Sequence, residues 1–137
     1  MPPPIDTNVI IREITQDDPE MSARAHKFLQ RLAAGATEAL LTEAVLVECA
    51  QVLSSRALYN LPRREIARDL GVIIRLRGVR LVNKRRYLRA LEVYAAIPAL
   101  DFVDALLVIY AESQRPTAVV SFDEDFDRVP GVTRMAP

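Results

Sequence analysis

The sequence predicts an α/β protein, a three-layer α/β/α sandwich built on a central, mostly parallel sheet. Short runs of β-branched and other apolar residues alternate with longer segments of helical periodicity, an order typical of parallel sheets covered by helices. The length of 137 residues and an apolar content of 50% suit one domain with a substantial core. We therefore expect a single domain over residues 1–137, with its functional groups at the carboxyl ends of the strands.

The first half of the chain is predicted to hold two strands and two helices. Residues 4–10 form the first apolar run, and the prolines before it limit its hydrogen bonding. Pro19 suits the first turn of a helix that continues to about residue 34, and Gly35 ends it. A second strand over residues 38–41 leads to Thr42, which is expected to cap a helix through residue 55.

The second half continues the same alternation. A helix that starts at a proline is predicted over residues 62–77, followed by a short strand over 79–82. Two further helices are predicted over 84–97 and 101–113, and a β-branched strand over 117–121. The tail is a turn followed by an edge strand. We find no internal repeat or linker that would divide the chain.

One segment is strongly basic although the formal net charge of the protein is zero. Eleven basic residues lie between Arg56 and Arg89 and are opposed only by Glu65 and Asp69, so the segment carries a net charge of +9 and the flanks carry −9. Such a segment can bind the phosphates of a nucleic acid. The alternative interpretation is that these basic residues lie on solvated helix faces and that some of them pair with acids from the flanks.

Two acidic residues of the first half are candidates for a metal site. Asp6 stands at the edge of the first apolar run, where desolvation of a carboxylate is costly unless something compensates it. The alternative is a turn aspartate that caps the following segment. Glu48 interrupts an apolar helix and shares a face with Val45, Cys49 and Val52, so we expect it to need either a metal ion or an arginine.

Asp101 and Asp104 lie three residues apart at the beginning of the last predicted helix, so they share one face. They fit a capping box in which aspartate replaces the usual Glu or Gln. Because capping and metal binding are compatible, we assign Asp101 to capping and Asp104 to the site.

Asp123 stands just beyond the predicted strand over 117–121, at the end where ligands bind in parallel α/β folds. Asp125 and Asp127 are expected to face solvent. A calcium loop of the EF-hand kind is a poor alternative, because the glycine and glutamate that it requires are missing.

Together, four of these acids predict a divalent-metal site. Asp6, Glu48, Asp104 and Asp123 each stand near a helix start or a strand end, and such positions can converge at one rim of a parallel sheet. Two carboxylates about 4 Å apart repel by about 4 kcal/mol at an effective dielectric constant of about 20, so the group needs cations or protons. Oxygen ligands without histidine or cysteine favour Mg²⁺ or Mn²⁺ over zinc.

Four short stretches resemble the PIN-domain ribonucleases and, among them, the VapC-like toxins of type II toxin–antitoxin modules. They are IDTNVIIR, VLVECAQVL, LDFVDALLVIYAE and VVSFDEDFDRVPGV, and they hold the four candidate acids in the family's order. The resemblance covers nearly the whole chain. One departure is MPPPI before the first aspartate, where the family has a longer apolar strand.

The resemblance implies a PIN-like fold and an endoribonuclease that depends on Mg²⁺ or Mn²⁺, with the four acids around the metal. It implies RNA as substrate, a small cognate antitoxin as partner, and a homodimer. Ser121 stands where the family has a small hydroxyl residue and is expected to order a metal water, while Asn8 is expected to orient Asp6. Hydrolysis of RNA needs a more acidic water and stabilisation of charge on the phosphate, which divalent ions supply.

Three other functions fit less well. A phosphoacceptor receiver domain needs a late lysine, and both Lys27 and Lys84 precede the last acidic motif. A haloacid-dehalogenase-type phosphatase needs an aspartate two residues after the first one, where Asn8 stands. A catalytically inactive PIN-like module that binds RNA or protein is the stronger alternative, although the presence of all four acids favours the enzyme.

The single cysteine, Cys49, excludes an intrachain disulfide and lies in an apolar stretch, where we expect a buried, inert thiol. The start of the chain shows no secretory signal, and no apolar run approaches the roughly 20 residues that span a bilayer. These features predict a cytoplasmic protein without a membrane segment.

Overall fold

Six α-helices and four short strands form a mixed α/β fold, and the computed structural model describes every residue from 1 to 137. The helices are α1 (Thr7–Thr15), α2 (Pro19–Ala33), α3 (Glu43–Ser54), α4 (Arg63–Arg75), α5 (Lys84–Ala96) and α6 (Phe102–Glu112). The strands are β1 (Ala39–Leu40), β2 (Val79–Arg80), β3 (Ala118–Val120) and β4 (Thr133–Met135). Helices α2 to α6 and all four strands lie where the sequence predicts them, which confirms the α/β class.

The first predicted strand is wrong, because α1 occupies most of residues 4–10. Only Pro4 takes part in strand pairing, through an isolated parallel bridge to Leu40. The β-branched composition of this segment favours a strand, but its apolar residues also recur at helical spacing. Thr7, Ile10 and Ile11 are buried along one side of α1, which packs against α2 and α3.

All strand pairs are parallel, as predicted. Strand β1 pairs with β2, with Ala39 opposite Val79, and β3 pairs with β4, with Val120 opposite Met135. The strands are shorter than predicted and form two separate two-stranded sheets. The extended start of the chain adds to the first sheet, because the N–H of Ile5 donates to the carbonyl of Leu40 at 2.9 Å.

The chain divides into two compact units, Met1–Lys84 and Arg85–Pro137. The first unit contains α1 to α4 and the β1–β2 pair. In it, α3 packs against both α1 and α4. Its fully buried side chains include residues from all four helices: Ile10, Leu32, Leu46, Leu53, Ile66, Leu70 and Ile74. Each such side chain contributes about 1.5–3 kcal/mol on burial.

The second unit contains α5, α6, the β3–β4 pair and a 3₁₀ helix, Glu124–Arg128. Helix α6 packs against β3, and the 3₁₀ helix packs against β4. The ring of Tyr94 meets that of Phe102 edge-on, with the ring centres 5.9 Å apart. Buried Val108 and Phe126 complete this smaller core.

The helix starts follow the capping rules that the sequence indicates. The hydroxyl of Thr42 accepts a 3.3 Å hydrogen bond from the N–H of Val45 and so caps α3, as predicted. Asp18 caps α2 in the same way, by accepting from the N–H of Met21 at 3.0 Å. None of the helices combines the length and the apolar content that a membrane crossing requires.

Candidate active site

Asp6 is the N-cap of α1. Its Oδ1 accepts a 2.8 Å hydrogen bond from the N–H of Thr7, and the residue is exposed. The expectation of a desolvated carboxylate at a strand edge is therefore wrong, because a helix start leaves the carboxylate in water. The alternative role as a cap is confirmed. Asn8 is also exposed, and Asp6 takes its hydrogen bond from Thr7 rather than from Asn8.

Glu48 lies in the middle of α3, next to buried Cys49, so the expectation that it stands near a helix start is wrong. The sequence predicts that Glu48 sits on a buried face, and this is wrong, because the residue is exposed. It stands at the solvent edge of that face, where Val45 and Val52 are only half-buried. No basic side chain pairs with Glu48, so the structural ion pair that the sequence left open is absent.

Asp6 and Glu48 are both close enough to Cys49 for their charges to raise the pKa of its thiol. Burial, with smaller contributions from the negative charges of Glu48 and Asp6, raises the pKa of Cys49 to about 12. The packing of α1 on α3 explains this proximity, since Asp6 caps one helix and Glu48 stands on the other. The expectation of a buried thiol is confirmed, and its lack of reactivity stays a prediction.

Asp101 and Asp104 form the predicted capping box at the start of α6. The N–H of Asp104 donates to Oδ1 of Asp101 at 2.8 Å, and the N–H of Asp101 donates to Oδ2 of Asp104 at 3.1 Å. Asp104 therefore shares the capping role that the sequence assigned to Asp101 alone. These two bonds use only one oxygen of each carboxylate, which leaves the other oxygen for a ligand.

Asp123 lies in a turn directly after β3, as predicted. Its N–H donates to Oγ of Ser121 at 2.9 Å, and its Oδ1 accepts from the N–H of Asp125 at 2.9 Å. Ser121 is itself held by a 3.0 Å bond from its N–H to the carbonyl of Met135 in β4. Ser121 thus fixes the backbone from which Asp123 projects. Asp127 is exposed, as expected, whereas Asp125 is half-buried.

Negative charge accumulates around Asp104. Partial burial raises the pKa of Asp104, and the charges of Asp101 and Asp123 raise it as well. The capping bond from the N–H of Asp101 acts in the opposite direction but does not outweigh them. In the second unit, Asp101 and Asp123 therefore both repel the carboxylate of Asp104, and a cation beside Asp104 would relieve that repulsion.

The four predicted metal ligands have no basic partner among the ion pairs of the structure. Asp17, Glu38 and Asp127, in contrast, each pair with an arginine. No three His, Cys, Asp or Glu side chains are grouped as a complete metal site. Mg²⁺, however, usually keeps several waters and is held by one or two carboxylates. Two neighbouring carboxylates without a basic partner therefore fit a hydrated divalent ion.

The PIN domain family matches residues 5–132 of the chain. This chain belongs to the PIN domain family. The match begins one residue before Asp6 and continues past Asp123, so it includes all four acids. PIN domains are generally nucleases that use divalent metal ions, which makes a nucleic acid the expected substrate. A search of curated proteins gives no significant match.

Few basic residues of the segment Arg56–Arg89 in this PIN domain are neutralised. Arg80 and Arg89 pair with acids from the flanks, as the alternative interpretation expected, and Arg68 pairs with an acid within the segment. Lys84 is half-buried and donates to the carbonyl of Leu76 at 3.0 Å. Five arginines are exposed and form no ion pair: Arg56, Arg64, Arg75, Arg77 and Arg85. Guanidinium groups of this kind match the geometry of phosphates.

A cleft beside Asp6 is a feature that the sequence does not predict. It lies within the first unit and has a volume of about 610 Å³. Its walls come from the extended start of the chain, α1 and α2. The amphipathic patterns of α1 and α2 indicate that each helix has a packing face, but only the packed helices form the cleft between them.

Proposed function

We propose that this PIN domain is a Mg²⁺- or Mn²⁺-dependent endoribonuclease in which Asp6, Glu48, Asp104 and Asp123 are the metal-binding and catalytic residues. The observation that carries the proposal is that these four acids, in the order of the family's motifs, all lack a basic partner. The capping bonds of Asp6, Asp104 and Asp123 each occupy one carboxylate oxygen, so the other oxygen of each stays available to a metal ion.

The surrounding residues support this assignment. Divalent ions bound by these carboxylates would acidify the attacking water and neutralise charge on the scissile phosphate. Ser121 holds the N–H of Asp123, and Asp101 holds the N–H of Asp104, so both backbones are fixed before a metal binds. We assign Asn8 a supporting role at Asp6. The exposed arginines of the basic segment would bind the RNA backbone.

We further propose that the nuclease is the toxin of a type II toxin–antitoxin pair, active in the cytoplasm as a homodimer and inhibited by a small cognate antitoxin. The support is the VapC-like order of the four motifs within a chain of 137 residues. Induction of the wild-type chain alone should arrest growth of a bacterial host, and the Asp104→Asn variant should not. Light scattering of the purified protein tests the dimer.

Cleavage of RNA tests the central proposal. The purified full chain is incubated with a mixed pool of transfer and ribosomal RNA in Mg²⁺ or Mn²⁺, with parallel reactions in EDTA. We expect discrete products that disappear in EDTA. Asp104→Asn should reduce the rate at least about 100-fold, because it removes one charged ligand from the transition state.

Glu20→Gln is the matched control, because Glu20 is an exposed carboxylate on α2 without an ion pair. It should cleave at the wild-type rate. Wild-type protein that is folded and binds RNA, but cleaves nothing in either metal, would instead be the inactive binding module. Cleavage that continues in EDTA would exclude the metal-dependent mechanism.

A further inference from the structure

The cleft of the first unit joins the proposed catalytic carboxylate Asp6 to groups that recognise nucleotides. Its volume of about 610 Å³ lies within the range typical of small-molecule sites. Six residues carry the argument, three from the Asp6–α1 segment and three from α2: Asp6, Asn8, Arg12, Met21, Arg24 and Phe28. The cleft therefore combines an apolar surface with an amide, two guanidinium groups and one carboxylate.

The two arginines of the cleft differ in their partners. Arg12 pairs with Asp17 at 3.0 Å, yet its buried Nε has no hydrogen-bond acceptor, and it is the only buried side-chain nitrogen or oxygen in the structure without one. Arg24 is exposed and takes part in no ion pair. Arg24 therefore offers free guanidinium donors to an anion that enters the cleft, whereas Arg12 is held by Asp17.

The apolar wall of the cleft is suited to a flat ring. Phe28 is half-buried, with the guanidinium of Arg31 lying 5.9 Å from its ring centre, and Met21 keeps 52% of its surface exposed. Exposure of the apolar surface of Phe28 and Met21 to water is unfavourable, and a base stacked on these side chains would bury that surface. The amide of Asn8 is exposed and can both donate to and accept from the edge of a base.

We propose that this cleft binds one unpaired nucleotide of the RNA substrate, with its base on Phe28 and Met21 and its phosphate at Arg24. The proposal rests on the proposed function, because Asp6 belongs both to the cleft and to the catalytic carboxylates. The occupant therefore lies beside the cleaved phosphate, and the cleft contributes to the choice of the cleavage site. The unpaired guanidinium of Arg24 and the exposed amide of Asn8 favour an anionic ligand with a planar ring over an apolar peptide.

Binding of mononucleotides in EDTA tests the inference without requiring cleavage. Uniformly ¹⁵N-labelled full chain is titrated with each of the four ribonucleoside 5′-monophosphates and with ribose 5-phosphate, which lacks the base. We expect amide shifts that concentrate on Asn8, Arg24 and Phe28 for at least one nucleotide. Ribose 5-phosphate should bind at least about fivefold more weakly, because it loses the stacking contribution.

Two cleft variants and two control variants test whether the cleft is the site of nucleotide binding. Arg24→Gln and Phe28→Leu should each weaken nucleotide binding at least about fivefold while keeping the wild-type melting temperature within a few degrees. Lys27→Gln removes an exposed cation from the same helix outside the cleft, and Leu58→Ala removes an apolar side chain that is 62% exposed elsewhere. Both controls should bind nucleotides like the wild type.

The outcomes separate this inference from the proposed function. Metal-dependent cleavage by a protein whose cleft binds no mononucleotide, or binds ribose 5-phosphate equally well, would overturn the inference alone. So would cleft variants that cleave RNA normally but no longer bind a purified protein partner, since the cleft would then be a peptide site. Nucleotide binding in the cleft of a protein that never cleaves RNA would overturn the proposed function alone.

Discussion

At the scale of single residues, Asp104 shows the energetic cost of gathering carboxylates without a cation. Its pKa is raised, so the folded protein binds the carboxyl proton more tightly than the unfolded chain does. This contribution to stability is present below the ordinary pKa of aspartate and is lost as the pH rises through the raised value. At neutral pH, the metal-free protein therefore carries an unfavourable charge at this position.

Asp104→Asn should raise the melting temperature in EDTA at neutral pH, by roughly 2 °C, because it removes this charge while the amide oxygen still caps α6. The gain should shrink as the pH falls toward the range where the wild-type carboxyl is protonated. Thermal unfolding followed by circular dichroism between acidic and neutral pH measures both effects. A variant that melts below the wild type at neutral pH would contradict the prediction.

The pKa of Asp17 is shifted in the direction opposite to that of Asp104. The hydroxyl of Tyr59, which donates to Asp17 at 2.5 Å, lowers the pKa of Asp17, and Thr15 and Arg12 lower it further. The resulting stability is present above the ordinary pKa of aspartate and is lost as the pH falls through the lowered value. Asp17→Asn should therefore lower the melting temperature at neutral pH, opposite to Asp104→Asn, and equal shifts for both would refute the comparison.

Cys49 should resist alkylation in the folded protein. Its thiol is buried and its pKa is about 12, so almost no thiolate forms at mildly alkaline pH. Intact-mass measurement after iodoacetamide treatment should show unmodified native protein and one adduct in denaturant. Rapid labelling under native conditions would mean that α3 opens or that the thiol is accessible.

At the scale of elements, the cap at Thr42 sets the start of the helix that carries Glu48. Thr42→Ala should lower the free energy of unfolding by about 1 kcal/mol, because the N–H of Val45 loses its acceptor. Urea denaturation measures the change. Thr42→Ser keeps the hydroxyl and should retain most of the stability, so a serine variant as unstable as the alanine variant would locate the effect in the methyl group instead.

The predicted and observed elements agree where local signals are redundant. Helix α2 has a capping aspartate, a proline at its first position and a glycine with a φ of 72° two residues after its end, and each signal favours the same boundaries. Helix α1 lacks such redundancy, since its β-branched residues favour a strand and its helical spacing is short. Its contacts with α2, the next helix in the chain, and with the more distant α3 decide its conformation.

At the scale of the whole molecule, charge is segregated along the chain rather than balanced locally. The segment Arg56–Arg89 carries +9 within a protein of zero net charge, and several of its arginines have no acidic partner. Electrostatic binding to RNA releases counterions, so its affinity falls as salt is added. The zero net charge of the whole protein does not reveal this basic segment.

RNA binding in EDTA should therefore weaken steeply between about 50 mM and about 200 mM salt. Arg64→Gln should weaken binding and reduce the slope of log affinity against log salt by about 0.7, the value for one phosphate contact on a single strand. Fluorescence anisotropy with a labelled single-stranded RNA measures both. Lys27→Gln, outside the basic segment, should leave the slope unchanged, and an equal loss in both variants would show that binding follows total charge only.

Five features could be predicted from the amino-acid sequence: the α/β class, nearly all of the element order, the capping box at Asp101 and Asp104, the position of Asp123 after β3, and the buried state of Cys49. These features depend on residues close together in the chain, whose spacing and capping chemistry are visible in the sequence. The folded chain was needed to show that α1 is a helix, that Asp6 and Glu48 are exposed and unpaired, and that a cleft opens beside Asp6. The reason is that burial and partner choice depend on which distant segments pack together, and no local pattern specifies that packing.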